Sequence, residues 1–362
     1  MLDDNNLRMK KEFKYLTFLL LFVPFLIACY NRKDDTEKVF KLEKRCFSEW
    51  TEIISVKDTV TLHSTDSSII TYADKCKMYD GNIYFWDHKL KKVYCFSRKG
   101  EIIRTIGAIG RSASEYIGIK DMWIDGKEKL LKILEERSII CYSLKNGKYI
   151  RRQKLYSDDP NEYERFAVVG RDSVICFTDN RNKNSIVLDT HNGTKGLRES
   201  KRFHFVTSMF YFFNEECRVL GDYGELKIDR YLDGKLKPLY RLDLGDDVLP
   251  DNVLPRTFDE FNNVDNDPKY FKCIVEAYET NDWLYVVLVG PNMTYYYGFI
   301  NKESGKYYFG KDFSIVVTGA DKDTFYGLVY PEYISKESPF VKYINPKVSS
   351  IDPVFIRFKI TK

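Results

Sequence analysis

The sequence predicts an all-β fold, and three observations support this prediction. Among its 362 residues are 27 Tyr, 25 Phe and 4 Trp, and aromatic side chains favour half-buried sheet surfaces. Short hydrophobic runs, such as NIYFWD at 82–87 and WLYVVLV at 283–289, are separated by polar segments that contain glycine. The resulting strand–turn–strand unit returns at a nearly constant interval, which is typical of a repeat architecture.

The repeating unit is clearest where residues 93–106, VYCFSRKGEIIRTI, are aligned with residues 139–152, IICYSLKNGKYIRR. Each segment reads as a strand, a polar turn that ends in glycine, and a second strand. The unit returns at 185–193, 227–235 and 297–306. A tight hairpin needs a positive φ, which glycine adopts without a steric penalty. The predicted turn glycines are Gly100, Gly147, Gly193, Gly234 and Gly305.

The spacing of these glycines sets the number of repeats. Successive glycines are 47, 46, 41 and 71 residues apart, and the last interval contains a polar stretch of 26 residues at 246–271. Without that stretch the last interval is 45 residues, and this period is typical of a β-propeller blade. The other 289 residues between 48 and 362 divide into six blades of about 48 residues. We therefore predict a six-bladed β-propeller of four-stranded antiparallel blades at 48–362, with an acidic insertion at 246–271.

The sixth blade is predicted to combine strands from both ends of the chain. Its segments are 325–330 and the C-terminal strand 354–360, joined by an N-terminal strand near 59–62. A blade shared in this way leaves no free sheet edge where the ring closes.

The N-terminal region is predicted to be a lipoprotein signal peptide, residues 1–28. Its uncharged run at 15–28 has 14 residues and follows three lysines, whereas a membrane-spanning helix needs about 20 apolar residues. The run ends in LIAC at 26–29, which resembles a lipobox and makes Cys29 the predicted lipidation site. Two alternatives are an ordinary secretory signal with a chance cysteine and an uncleaved anchor.

Residues 29–47 are expected to form a lipidated, flexible tether between the membrane and the propeller. Residues 33–35, Lys-Asp-Asp, resemble the export signal that carries lipoproteins of Bacteroidota to the outer face of the outer membrane. A charged segment is equally typical of a solvated tether. The predicted location is the outer membrane through the N-terminal lipid, and the cell surface if the short match acts as a signal.

Charge and composition limit the classes of partner, cofactor and reaction that can be expected for this chain. The chain has 57 Lys+Arg, 53 Asp+Glu and no long basic run, so no nucleic-acid partner is predicted. Its four histidines lie far apart, so no metal site and no cofactor are predicted. The sequence motifs of serine hydrolases, zinc proteases, P-loop enzymes and Rossmann enzymes are absent, and no catalytic residue is assigned. The sequence thus favours a protein that is not an enzyme.

One segment resembles a known family. Residues 106–116, IGAIGRSASEY, lead into MWID at 122–125. They are similar to the inter-blade pattern G-x-x-G-x-G-P-G-E-Y of the six-bladed β-propeller lipoproteins of Bacteroidota, which are NHL-like or TolB-like propellers. Gly107, Gly110, Glu115 and Tyr116 match this pattern, whereas SAS at 112–114 replaces its Gly-Pro-Gly core. The resemblance implies an exported propeller lipoprotein and says little about chemistry.

Candidate ligand-binding residues lie in the same segment, on a predicted loop between blades. They are Arg111, Glu115 and Tyr116, because loops on a rigid scaffold commonly carry function. The alternative is structural: Arg111 and Glu115 satisfy each other or nearby backbone amides, and Tyr116 packs between blades.

Two further segments are candidate binding sites. The run YYY at 295–297, with Trp86 and Trp123, could stack on sugar rings or peptides, and strand alternation predicts that at least one of the three tyrosines faces outward. The insertion at 246–271 contains DND at 265–267, which superficially resembles a calcium loop but lacks the glycine and distal glutamate of an EF-hand. A solvated loop that forms a short helix is expected there.

The sequence therefore predicts a lipid-anchored envelope propeller that acts as a non-catalytic binding module for a glycan, a peptide or a partner protein. One alternative is a carbohydrate-active hydrolase or lyase with its acid and base at the mouth of the propeller channel. Another is a structural subunit of a membrane complex. Converging carboxylates would favour the enzyme, exposed aromatic residues would favour binding, and a large apolar outer patch would favour assembly.

Overall fold

The computed structural model describes residues 36–44, 46–65, 70–156, 163–178, 183–200, 208–255, 257–265, 267–336, 338–344 and 351–361. The predicted signal peptide, 1–28, and the predicted lipidation site, Cys29, lie outside the described residues. Val39–Lys362 forms one compact unit and Met1–Lys38 another, and the fold described below is that of the larger unit. None of the helices in the described ranges has the length and hydrophobicity needed to cross a membrane.

Six antiparallel sheets form six blades. Blade 1 contains β3 (Ala73–Tyr79), β4 (Asn82–Asp87), β5 (Lys92–Phe96) and β6 (Ile102–Ile106). Blade 2 contains β7 (Asp121–Asp125), β8 (Leu130–Glu135), β9 (Ser138–Ser143) and β10 (Tyr149–Lys154). Blade 3 contains β11 (Tyr163–Gly170), β12 (Ser173–Thr178), β13 (Asn184–Thr190) and β14 (Gly193–Glu199).

Blade 4 contains β15 (Phe210–Phe213), β16 (Glu216–Leu220), β17 (Lys227–Leu232) and β18 (Lys235–Asp243), with β1 (Lys38–Lys41) as a fifth strand beside β18. Blade 5 contains β19 (Cys273–Glu279), β20 (Trp283–Val289), β21 (Tyr295–Asn301) and β22 (Tyr307–Gly310). Blade 6 contains β23 (Val316–Ala320), β24 (Phe325–Val329), β25 (Val354–Ile360) and β2 (Ile54–Thr61). The predicted all-β, six-bladed β-propeller of four-stranded blades is confirmed.

The two ends of the chain close the ring within blade 6. Strand β2 pairs antiparallel with β25, and the register runs from Ile54 opposite Ile360 to Thr61 opposite Val354. The predicted sharing of the sixth blade between N-terminal and C-terminal strands is therefore confirmed.

The innermost strands of the six blades are β3, β7, β11, β15, β19 and β23. Each contacts the innermost strand of the next blade, and β23 contacts β3, so a closed ring of strands surrounds a central channel. The hydrophobic core lies between neighbouring blades: Trp86 of blade 1 clusters with Tyr142 of blade 2, and Phe96 of blade 1 with Phe355 of blade 6. Because both faces of a middle strand are covered, every residue of β20 is buried, which explains its unbroken hydrophobic sequence.

The five predicted turn glycines all adopt positive φ, from +72° to +122°. Each joins the third and fourth strands of its blade. Gly100 has a second constraint, because a Cβ atom there would lie 1.7 Å from the carbonyl oxygen of Thr61 on the closing strand β2. The Gly100 carbonyl also accepts a hydrogen bond of 2.9 Å from the backbone N–H of His63. This turn therefore fastens blade 1 to the strand that closes the ring.

The segment from β1 to Trp50 follows the outer edges of blades 4 and 5. The backbone N–H of Leu42 donates to Asp243 O at 2.8 Å, and that of Phe47 donates to Phe309 O at 2.9 Å. Trp50, in helix α1 (Trp50–Ile53), is 1% exposed. The prediction of a flexible tether at 29–47 is therefore wrong for its second half. From β1 onward the chain packs on the propeller, because Leu42 and Phe47 have apolar surface to bury there.

The acidic insertion connects blades 4 and 5. It begins within a 3₁₀ turn at Gly245–Asp247 and contains a second 3₁₀ turn at Asp251–Val253 and helix α2 (Phe258–Asp265). The expected short helix is therefore present, and Phe261 anchors it by packing edge-on against Tyr223 with ring centroids 5.3 Å apart. In the described part of the chain, three other 3₁₀ turns occur at Pro291–Met293, Pro331–Tyr333 and Pro339–Tyr343.

Candidate functional site

The two faces of the propeller carry different loops. We call the face at which the innermost strands begin the upper face; it carries the connections between blades and the loops between second and third strands. The lower face carries the tight turns after the first and third strands. Connections between blades are longer and more varied than hairpin turns, so the upper face has more freedom to build a site.

A cavity of about 260 Å³ opens at the upper face, where the innermost strands of blades 5, 6 and 1 border the channel. Its lining residues are Tyr72, Ala73, Lys75, Ser208, Val275, Glu276, Tyr278, Tyr285, Val287, Tyr295, Tyr297, Phe313, Ile315, Val316 and Thr318. Aromatic rings, hydroxyl groups and charged groups thus converge in one concave site, a composition typical of small-ligand sites.

Two exposed tyrosines, Tyr72 and Tyr295, line this cavity, and a third, Tyr333, lies beside Tyr72. Tyr72 is 38% exposed, Tyr295 is 41% exposed and Tyr333 is 65% exposed, and we call these three residues the tyrosine rim. Tyr72 stacks on the buried Tyr330 with ring centroids 4.9 Å apart, and its centroid lies 6.5 Å from that of Tyr333. Because the hydroxyl of Tyr330 accepts a hydrogen bond from the backbone N–H of Ala73, the ring beneath Tyr72 is fixed. Tyr72 is therefore supported from below by a fixed ring.

The alternation of β21 places Tyr295 at the surface. Tyr295 is exposed, Tyr296 is buried and Tyr297 is partly buried, so the prediction that at least one of these tyrosines faces outward is confirmed. The two tryptophans of the same hypothesis, Trp86 and Trp123, lie elsewhere. Trp86 is 1% exposed in the core between blades 1 and 2. Trp123 borders a cleft on the lower face.

An ion pair crosses between blades 1 and 2 at the inner wall of the channel. Lys75 Nζ lies 2.5 Å from Oδ1 of Asp121, whose side chain is fully buried. Oδ1 also accepts from the backbone N–H of Met122 at 2.7 Å, and Oδ2 accepts from that of Phe166 at 3.0 Å. The Asp121 carboxylate is thus engaged by three donors, which suits it to a structural role better than to proton transfer.

Lys77 extends into the channel one alternation further along β3. Its Nζ donates to Thr318 O of blade 6 at 2.5 Å and lies 4.6 Å from the ring centroid of Tyr278 in blade 5. Burial and the ammonium group of Lys75 lower the pKa of Lys77 to about 7, although Glu276 and Asp121 partly offset the shift. Lys77 can therefore be a neutral amine or an ammonium group near neutral pH.

Glu276 of β19 supplies the carboxylate that lines the cavity itself. Burial, and secondarily the charge of Glu276, raise the pKa of Tyr297 to about 12, so this hydroxyl stays protonated and can donate. Together with Lys75, Ser208 and Thr318, these groups give the cavity both donors and acceptors beneath an aromatic rim.

The predicted binding residues Arg111, Glu115 and Tyr116 lie on the upper face, in the loop between blades 1 and 2. Arg111 is exposed, whereas Tyr116 is 1% exposed and donates its hydroxyl to Lys91 O at 3.0 Å. Oε2 of Glu115 accepts from the backbone N–H of Ser112 at 2.9 Å, and this hydrogen bond holds the pKa of Glu115 below its usual value. None of the three lines the cavity described above.

Blade 2 holds this loop from the side. Arg152 Nη2 donates to Glu115 O at 2.5 Å, and its Nη1 lies 2.5 Å from Oε2 of Glu135. Tyr142 donates its hydroxyl to Ser114 O at 2.8 Å. The carbonyl of Ser114 belongs to the SAS segment that replaces Gly-Pro-Gly in the related pattern, and that of Glu115 follows it directly, so side chains of blade 2 fix the backbone of this loop.

Sequence reasoning missed Tyr72, Lys75 and Lys77, which lie at the start of blade 1. The signal available was the alternation in TYADKCKMY at 71–79, where both lysines fall on one face and Cys76 on the other. Two lysines on one face of a short strand indicate a polar, channel-facing surface. No group of three metal-ligating side chains occurs within the described ranges.

Comparisons with known proteins agree with this fold. The family described as "Domain of unknown function (DUF4934)" matches residues 38–350. A solved structure from Bacteroides fragilis, provisionally described as an exported protein, is similar with a TM-score of 0.72 at 12% identity and covers 90% of this chain and 100% of its own. A DUF4221 family member from Bacteroides vulgatus has a TM-score of 0.57 at 8% identity, over 85% of this chain and 98% of its own. No curated protein matches the chain significantly.

Proposed function

This chain belongs to the family of domains of unknown function DUF4934, and we propose that it is an envelope propeller whose tyrosine rim binds a glycan without converting it. The observation that carries the proposal is that the exposed Tyr72 and Tyr295 line one small cavity with a polar floor, with the exposed Tyr333 beside Tyr72. Tyrosine rings offer apolar faces together with hydroxyl groups, and the C–H faces of pyranose rings stack on such surfaces.

The shape of the site favours a glycan over a peptide or a partner protein. A stable protein partner needs a broad contact surface of about 800 Å² on each side. This site is instead one small concave cavity of about 260 Å³, which suits a small ligand. Its floor has the hydroxyls of Ser208 and Thr318 and the charged groups of Lys75 and Glu276, which pair naturally with sugar hydroxyls. A single sugar unit or chain end in the cavity, with the next unit on the rim, matches this arrangement.

The location we propose is the outer membrane, through a lipid on Cys29. Support comes from the LIAC sequence at 26–29 and the preceding uncharged run. The similarity in fold to a Bacteroides protein provisionally described as exported is consistent with this location. Placement at the cell surface rests on the Lys-Asp-Asp at 33–35.

A glycan array probed with the purified full chain tests the binding function. We expect a restricted set of glycans to bind, Tyr295→Ala and Tyr72→Ala to lose at least about tenfold in affinity, and Tyr156→Ala to bind like the wild type. Tyr156 is a suitable control because it is 55% exposed and lies away from the cavity. Unchanged binding by both rim variants would refute the site.

The same preparation tests the hydrolase or lyase alternative. Glu276 is the carboxylate that lines the cavity, so it is the residue that such an enzyme would use. Release of shorter or unsaturated glycans by the wild type, lost in Glu276→Gln, would establish catalysis and overturn the proposal of a binding module. We expect bound glycans to be recovered intact.

A further inference from the structure

A second concave site lies on the lower face, between blades 2, 3 and 4. It is a cleft of about 690 Å³, within the range typical of small-molecule sites. Trp123 and Phe212 form one wall with ring centroids 4.9 Å apart. Val168 and Val169 of β11 supply apolar surface from blade 3. Most of the exposed lining is therefore apolar, at the end of the propeller opposite the tyrosine rim.

The acidic groups of this cleft are already neutralised. Asp125 Oδ2 and Glu128 Oε2 each lie 2.8 Å from Nζ of the buried Lys132, and Glu128 Oε2 lies 3.1 Å from Arg151 Nη2. Asp125 Oδ1 in addition accepts backbone hydrogen bonds from the following turn. Two carboxylates are thus balanced by two cations, and they present little net charge to the cleft.

The remaining charged groups leave one cation in excess. Lys127 Nζ lies 2.9 Å from Glu215 Oε2, so these two groups form a neutral pair that joins the turns of blades 2 and 4. Arg171, in the turn after β11, lines the cleft and has no hydrogen-bonded or ion-paired partner in the described parts of the chain. Its neighbour Asp172 is not among the lining residues. The guanidinium of Arg171 is therefore available to an anion.

We propose that this cleft binds a small amphiphilic carboxylate, whose apolar body packs on Trp123 and Phe212 and whose carboxylate pairs with Arg171. An arginine fork matches a carboxylate in a bidentate manner, which fixes the orientation of the ligand as well as its charge. The apolar wall excludes strongly hydrated polyanions, and the single excess cation matches a monoanion. The site is separate from the tyrosine rim and does not depend on it.

Octanoate is a suitable probe, with octanol as its uncharged analogue. Trp50, Trp86 and Trp283 are at most 8% exposed, whereas Trp123 is partly exposed, so quenching of tryptophan fluorescence by acrylamide reports mainly on Trp123. We expect octanoate to protect this fluorescence saturably and to give a calorimetric stoichiometry of one. We expect octanol to bind at least fivefold more weakly.

Two arginine variants test whether Arg171 is the group that pairs with the carboxylate of the ligand. Arg171→Gln is expected to weaken octanoate binding about tenfold and to leave octanol binding unchanged. Arg98→Gln is the matched control, since Arg98 is also exposed in a lower-face turn but does not line the cleft, and it should bind like the wild type. Three results would each overturn the proposal. The first is equal binding of octanoate and octanol, and the second is equal octanoate binding by Arg171→Gln and the wild type. The third is no protection of Trp123 at about 10 mM octanoate, a concentration at which even weak ligands bind.

Discussion

The ammonium group of Lys77 lies 4.6 Å from the ring centroid of Tyr278, although the two residues belong to blades that are not adjacent in the ring. Lys77 also donates to Thr318 O in the blade between them. One side chain therefore links blades 1, 5 and 6 across the channel, directly below the cavity. The state of its amine affects both the closure of the ring and the charge of the proposed binding site.

The depressed pKa of Lys77 predicts a specific dependence of stability on pH. Its folded-state pKa is about 7, below the usual 10.5, so the unfolded chain takes up this proton first as the pH falls. The free energy of unfolding should therefore decrease as the pH falls from about 10 to 7, with no further contribution from this group at lower pH. Lys77→Met removes this contribution.

Urea unfolding at several pH values checks this prediction. The stability of Lys77→Met relative to wild type should be greatest near pH 7 and should shrink as the pH rises towards 10. Lys99→Met, at an exposed position in a turn, should follow the wild type at every pH. A constant difference between Lys77→Met and wild type across this range would contradict the depressed pKa.

Ring closure can be tested through two glycines with the same backbone conformation. The new Cβ of Gly305→Ala meets no atom within 4 Å, so the free energy of unfolding should fall only by the penalty for a positive φ, about 1 kcal/mol. In Gly100→Ala the new Cβ would collide with Thr61 O of the closing strand, so the loss should be about 2–4 kcal/mol. Thermal unfolding of the two variants gives the comparison. Equal losses would show that the contact between the turn and β2 does not stabilise the closed ring.

Glu279 forms a buried junction between blades 4 and 5. Its carboxylate is held by Tyr211, Arg218, Tyr240 and Lys302 at 2.8–3.1 Å. Glu279→Gln removes the buried counter-charge of Lys302 and one of the two carboxylates that pair with Arg218, so we expect a loss of about 3 kcal/mol in the free energy of unfolding. Denaturant unfolding should separate it clearly from the exposed control Glu101→Gln, which should be neutral. A loss below about 1 kcal/mol would contradict the assignment of the junction as a stabilising contact.

If Cys29 carries the lipid, Cys29→Ser should abolish metabolic labelling by an alkyne fatty acid. The variant should also move from the detergent phase to the aqueous phase when the protein is partitioned in Triton X-114. Cys46 is the exposed cysteine of the described residues, so Cys46→Ser is the control and should be labelled like the wild type. Persistent labelling of Cys29→Ser would place the lipid elsewhere.

The fold was predictable because its signals are local. Strands such as β20 are covered on both faces and read as unbroken hydrophobic runs, and the turn glycines mark each blade at a regular interval. The closing strand β2 could be inferred from the same period, because the sixth blade lacked one strand. The strand β1 was missed because a short segment with Phe40 and Leu42 as its buried residues gives little periodic signal.

The candidate site was predictable only in part. Alternation in β21 indicated an exposed tyrosine, and Tyr295 is exposed. The convergence of Tyr72, Lys75 and Glu276 depends on the ring, which brings residues about 200 positions apart to one cavity. No local pattern encodes such a contact. The segment that resembles a known family does not contribute to this cavity. Its Tyr116 is buried, and the Tyr116 hydroxyl donates to the carbonyl oxygen of Lys91.

Isothermal titration calorimetry with the glycan that binds most tightly on the array tests the central claim most directly. We predict saturable heats with one site per chain, a dissociation constant at least about tenfold weaker for Tyr295→Ala, and no heat flow after each injection has equilibrated. Affinity that is equal in the wild type and Tyr295→Ala would contradict recognition by the tyrosine rim. Continuous heat flow at saturation would contradict binding without turnover.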